Sequence, residues 1–164
     1  MPENFFQRKS PRLRDYNYSE EGAYFVTICT QNRLHLFGDI LNDEMVRNAL
    51  GNIVHDWWLK VEQKYDDITL DDFVVMPNHL HGIVVINRYE ASDHTSLSRV
   101  MQWFKTMTSN TYIRGANAGQ WSWAGSTLWQ RSFHDHIIRD ERGLNALRQY
   151  VLSNPALWDK DSLR

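Results

Sequence analysis

The sequence predicts an α/β fold of the ferredoxin-like kind: one antiparallel sheet, helices on one face, and an added C-terminal helix. Three observations lead there. Segments of strand and helix periodicity alternate in the order strand, helix, strand, strand, helix, strand, helix. The two middle strands, ITLDDFVVMP and HLHGIVVI, are separated only by the turn formers at Pro77-Asn78. Finally, 164 residues that are 42% hydrophobic suit one domain with its own core.

Each element has its own signal. Residues 1–21 read as a basic N-terminal arm, Pro-containing and weakly patterned. From Gly22 the run AYFVTICT is β-branched and aromatic, a strand. Residues 32–42 are a connector, and Asp43 is placed to cap a helix to about Lys64. Its apolar stripe is Met45, Val46, Ala49, Leu50, Ile53, Val54, Trp57 and Val61. After the strand pair and a polar loop over 87–94, a second helix spans about Ser96 to Tyr112, with Leu97, Val100, Met101, Phe104 and Met107 as its stripe. Residues 115–127 are a Gly-rich loop bearing Trp121 and Trp123, and LWQRSFHDHIIR is the fourth strand. Asp140 caps a last helix to about Asn154, where Pro155 stops it. The domain proper is expected over 22–158, with 159–164 as a tail.

Composition narrows the function classes. The single cysteine, Cys29, rules out an internal disulfide and fits a reducing cytosol, where it would be an inert buried hydrophobe. No signal-peptide pattern and no run of about 20 apolar residues occurs, so a cytoplasmic location is expected. Net charge is −2, yet it is unevenly spread. Arg8, Lys9, Arg12 and Arg14 cluster without an acid, and Arg99, Lys105, Arg114, Arg131, Arg139, Arg142 and Arg148 dominate the second half. One positive face for nucleic acid follows if these converge; chance clustering on a solvated surface is the alternative. Seven each of Trp, Tyr and Phe suit either a packed core or base-stacking surfaces.

Two constellations carry chemistry. His79-Leu80-His81 opens an apolar strand, so both imidazoles face one side and can share an ion, while Leu80 faces the helix-covered core. Gly82 leaves room for a backbone or ligand on the strand. A second pair, His134 and His136, could extend the site, contact phosphate or be satisfied surface histidines. On the last helix Leu144, Leu147 and Val151 form the core stripe, and Tyr150 and Asn154 share one flank of it. A phenol and an amide are thus offered together to the open sheet face, the amide oxygen as a possible third metal ligand. The plainer readings are a coincidental His pair, a boundary aromatic and an Asn-Pro helix stop.

Taken together, MPNHLHGIVVI, LWQRSFHDHIIRDE and QYVLSNPALW resemble the REP-associated tyrosine transposases, single-tyrosine HUH transposases in which U is hydrophobic. The resemblance spans about residues 22–158. It implies a ferredoxin-like fold, recognition of palindromic hairpins with single-stranded flanks, a divalent metal and a 5′-phosphotyrosine intermediate. By motif, His79 and His81 become the metal pair, Asn154 the third ligand and Tyr150 the nucleophile. Relatives often have Ile where Val151 stands, a conservative change, and some carry a longer C-terminal segment that bears on hairpin recognition. Tyr112 also ends a helix but lacks the Asn-Pro neighbourhood.

The expected activity is therefore cleavage and transfer of single-stranded DNA with Mg²⁺ or Mn²⁺, although histidine ligands suit Zn²⁺ equally. Arg12, Arg14, Lys105 and Arg131 are candidates for phosphate contact, and Trp121 and Trp123 for base stacking or for lid packing. A monomer is expected, with a dimer as the alternative. Two other functions remain open: a non-catalytic single-stranded nucleic-acid binder, and a nuclease that activates water at the His pair. A structural zinc site lacks the ligands to close.

Overall fold

The computed structural model describes residues 21–87 and 95–164. Six strands and three helices follow one another: β1 Gly22–Cys29, β2 Gly38–Leu41, β3 Glu44–Arg47, α1 Ala49–Lys64, β4 Ile68–Met76, β5 His79–Ile86, α2 Leu97–Asn117, β6 His134–Ile138 and α3 Glu141–Ser153. Short 3₁₀ turns cover Gln31–Arg33 and Pro155–Lys160. The main sheet has the order β4-β5-β1-β6 with every pair antiparallel. With the β2-β3 hairpin set aside, that is the expected ferredoxin-like order, fourth-first-third-second strand.

Alternation along β1 and β5 decides what each sheet face does. Tyr24, Val26 and Ile28, with Leu80, Val84 and Ile86, join Leu50, Val54, Trp58 and Val61 of α1 and Leu97, Val100, Met101 and Phe104 of α2 in the main core. The opposite face carries Phe25 and Ile83, which α3 covers with Leu147 and Val151. This face was expected to be open. It is not, because leaving Phe25, Ile83 and Val74 in water would forgo about 1.5–3 kcal/mol for each large side chain. A salt bridge secures α3: Arg148 donates to both Asp71 carboxylate oxygens, at 2.8 and 2.6 Å. Asp71 lies where β4 bulges between Leu70 and Phe73, two residues opposing one.

Three local expectations are corrected. Asp43 does not cap α1; it is the second turn residue of the β2-β3 hairpin. Asn42 and Asp43 both have positive φ, 51° and 62°, the two-residue turn that matches strand twist and that Asn and Asp tolerate best. Met45 and Val46 therefore lie on β3, and the cap is Asn48, whose side chain accepts from Gly51 N at 2.9 Å. Second, α2 runs on to Asn117, through the first three residues expected in the Gly-rich loop. Third, Gly82 makes room for a helix and not for a ligand: a Cβ there would lie 2.5 Å from the Trp58 ring. Cys29 is buried, and burial pushes its thiol up to about 11, so it stays a protonated hydrophobe. No described helix is long and apolar enough to cross a membrane.

Candidate active site

His79 and His81 sit side by side on β5 with ring centroids 4.5 Å apart, and neither is exposed. Each is held through Nδ1. The Asn78 amide hydrogens go to the Leu163 carbonyl at 2.6 Å and the Arg33 carbonyl at 3.3 Å, which turns its oxygen toward His79 Nδ1 at 2.7 Å. An amide oxygen only accepts, so His79 carries its proton on Nδ1 and a lone pair on Nε2. His81 Nδ1 lies 2.7 Å from the Thr27 hydroxyl across the β1-β5 pair. Burial lowers both imidazole pKa values, that of His79 to about 4 with the nearby Asp161 carboxylate opposing, and that of His81 well below its ordinary value. Both rings are thus neutral near pH 7, the form that ligates metals.

Over these rings lies the end of the chain. Tyr150 on α3 meets His81 edge-on at 5.4 Å and Phe25 at 6.0 Å between centroids. Burial, then the Asp161 carboxylate, push its phenol up to about 12, with the Asn154 amide partly opposing. Asn154 caps α3 and is buried; its amide nitrogen donates to Asp161 Oδ2 at 3.3 Å. Asp161 Oδ2 in turn lies 3.6 Å from His79 Nε2. Trp158 stacks on His79 at 6.1 Å and also lines a polar cleft with His35, Asp39 and Asp159. Residues 159–164, expected as a tail, run across the site: Leu163 is buried and Arg33 donates to the Ser162 carbonyl at 3.1 Å.

Three buried atoms here have no hydrogen-bond partner among the described residues: His79 Nε2, His81 Nε2 and Asn154 Oδ1. His79 Nε2 and Asn154 Oδ1 are lone-pair donors to a cation, as is His81 Nε2 in the tautomer whose Nδ1–H donates to the Thr27 hydroxyl, and burying polar groups unpaired is costly. His79, His81 and Asp161 offer ligand atoms within 4.8 Å of one another. This donor set fits a divalent metal ion.

Arg12, Arg14 and the rest of the basic arm fall outside the described residues. Lys105 donates to the Gln130 and Arg131 carbonyls at 2.8 and 2.7 Å, tying α2 to the strand-leading loop. Arg131 is exposed. Trp121 tucks against Gly115 and donates to the Tyr112 carbonyl at 3.0 Å, whereas Trp123 remains half exposed. Tyr112 is buried, its hydroxyl donating to the Gly125 carbonyl at 2.9 Å. His134 and His136 pair with Thr27 and Phe25, which puts them on the site's face of the sheet. Sequence reasoning missed Asn78, Thr27 and Asp161. Pro77-Asn78 looked only like a turn, and nothing local marks the other two.

A family model described as IS200-like transposase matches residues 19–154. The chain belongs to that family. An uncharacterized protein of Haemophilus influenzae is 39% identical to this IS200-like transposase over 166 residues, 95% of this chain and 92% of the relative. A second protein of that organism, named as a candidate REP-associated tyrosine transposase, is 21% identical over 141 residues, 85% of this chain and 73% of the relative. The solved structure of a REP-associated tyrosine transposase bound to a REP hairpin has a similar fold, with a TM-score of 0.59 at 21% identity, covering 88% of this chain and 72% of that one. Family membership makes the protein transposase-like.

Proposed function

We propose that the protein cuts single-stranded DNA beside a hairpin and rejoins it through a covalent link to Tyr150. The observation that carries this reading is the Tyr150 ring packed at 5.4 Å against His81, beside three buried donor atoms without partners. His79, His81 and Asn154 would hold Mg²⁺ or Mn²⁺, which supplies electrophilic polarisation of the scissile phosphate and offsets charge on its oxygens.

The chain's own residues do the rest. Asn78 and Thr27 fix the imidazole orientations from behind, as outer partners of metal-ligating histidines do. Tyr150 Oη attacks phosphorus, its phenolic proton is released, and the P–O3′ bond breaks. The departing 3′-oxygen takes up a proton, and the 5′-phosphate stays on the tyrosine. Because the link conserves the phosphodiester's energy, attack by another 3′-hydroxyl rejoins the strand without ATP. With its phenol held near pKa 12 by burial and Asp161, Tyr150 is a poor nucleophile until positive charge arrives beside it. The exposed Trp123 ring suits stacking on an unpaired base, and exposed Arg131 suits a phosphate.

The test is incubation with hairpin-bearing single-stranded oligonucleotides and Mg²⁺ or Mn²⁺, followed by a denaturing gel. A covalent DNA–protein band is expected from the natural protein, and Tyr150→Phe should lose it while still binding DNA. No band from the natural protein would favour a non-catalytic binder. Cleavage that survives in Tyr150→Phe would favour a nuclease activating water.

A further inference from the structure

We infer that Asp161 is an anionic ligand of the same metal, delivered by the chain segment that follows α3. This rests on the metal-assisted reading above but adds a residue beyond the family match, which ends at 154.

The Asp161 side chain is only 2% exposed, and its Oδ2 lies 3.6 Å from His79 Nε2. That is too far for a hydrogen bond. It also joins two acceptors, since the Asn78 contact leaves a lone pair on Nε2. Asn154 Oδ1 adds a further buried lone pair without a donor, and His81 Nε2 is a buried ring nitrogen without a partner among the described residues. Among the described residues, the hydrogen donated to Oδ2 comes from Asn154, at 3.3 Å. A buried carboxylate surrounded by acceptors is unfavourable alone, and a cation among them makes each repulsive pair attractive.

The carboxylate is also held in place. Its other oxygen accepts from Leu163 N at 2.8 Å, leaving Oδ2 for the ion. Asn78, which orients His79, also grips the Leu163 carbonyl at 2.6 Å, so one amide sets both a histidine ligand and the returning chain. Three neutral donors would hold a divalent ion loosely. A carboxylate adds charge and an oxygen donor, which favours Mg²⁺ and Mn²⁺ over softer ions.

Calorimetric titration of the full chain with Mn²⁺ tests this, with Asp161→Asn and His79→Ala as variants. Asp161→Asn keeps the acceptor for Leu163 N and removes the charge. Its Mn²⁺ affinity should fall at least roughly tenfold. The Mn²⁺-induced rise in Tm should shrink, while the metal-free Tm is not lowered as it would be for a purely structural residue. An affinity within about twofold of the natural protein overturns the assignment. Should Asp161→Asn fail to fold, anomalous scattering from a Mn²⁺-soaked crystal of the natural protein decides: a carboxylate oxygen within about 2.6 Å of the ion supports the ligand, and one farther away overturns it. Failure of the natural protein to bind Mn²⁺, or undiminished binding by His79→Ala, sinks the metal site itself. An unaffected Asp161→Asn beside a weakened His79→Ala sinks only this assignment.

Discussion

Asn78 lies in a turn, and its composition signal says no more than that. In the folded chain its side chain makes three hydrogen bonds, to His79 Nδ1 and to the Leu163 and Arg33 carbonyls, all buried or partly so. Removing that amide strands one buried carbonyl, one partly buried carbonyl and one imidazole N–H. Asn78→Ala should therefore lower stability by about 1–3 kcal/mol, read by urea unfolding. It should also weaken Mn²⁺ binding roughly 10–100-fold, because His79 loses the partner that sets its tautomer. A stability loss with unchanged Mn²⁺ affinity would show that the amide serves the chain end alone.

Among the elements, α1 shows how one residue type serves two local structures. Asp and Asn both cap helices and both tolerate left-handed turns, so residue type alone does not settle whether Asp43 is a cap or a turn residue. Asn48 takes the cap because residues 38–41 pair with 44–47 and draw Asp43 into their turn. Asn48→Ala should cost about 1 kcal/mol, a fall of roughly 2–4 °C in Tm. Asp43→Gly should cost nothing, since glycine accepts positive φ freely. If Asp43→Gly proves as damaging as Asn48→Ala, the hairpin assignment is wrong. The packing of α1 on β5 has a separate check at Gly82. A methyl group there drives into Trp58, so Gly82→Ala should lose about 1–3 kcal/mol while Mn²⁺ still binds, because the clash is on the sheet face opposite His79 and His81.

For the molecule as a whole, two buried neutral histidines make stability depend on pH. Unfolded, each takes up a proton near its ordinary value of 6.5; folded, His79 does so only near 4 and His81 well below its ordinary value. Below pH 6.5 the unfolded chain therefore binds more protons, and stability falls with pH. The contribution is complete above about 6.5 and drains away toward 4, at up to about 1.4 kcal/mol per pH unit for each imidazole. Metal-free protein should show Tm falling steadily between pH 6.5 and 5 in a calorimetric series. Saturating Mn²⁺ should raise Tm across this range with little change of slope, since the folded rings hold almost no proton there for the ion to displace. A flat Tm over that range would mean that the rings are not buried neutral. Asp71, lowered first by its hydrogen bond to Arg148, titrates in a more acidic window and does not blur the reading.

Much of the architecture is legible in the sequence, because its signals are local. Alternation over eight residues of β5 put His79 and His81 on one side and Leu80 on the other, and helical spacing over α3 put Tyr150 beside the Leu147–Val151 stripe. Asp140, the cap, and Pro155, the stop, bounded α3 within a residue or two. What no window of neighbours could reveal is which distant residues meet. Asp161 reaches His79, 82 positions earlier, because α3 must lie on the second sheet face to cover Phe25 and Ile83, and the chain leaving it is caught by Asn78. Likewise Gly82 looked like space for a ligand until Trp58 was seen to fill it. Periodicity travels along the chain a few residues at a time; the closing of a buried donor cluster depends on packing between segments that only folding brings together.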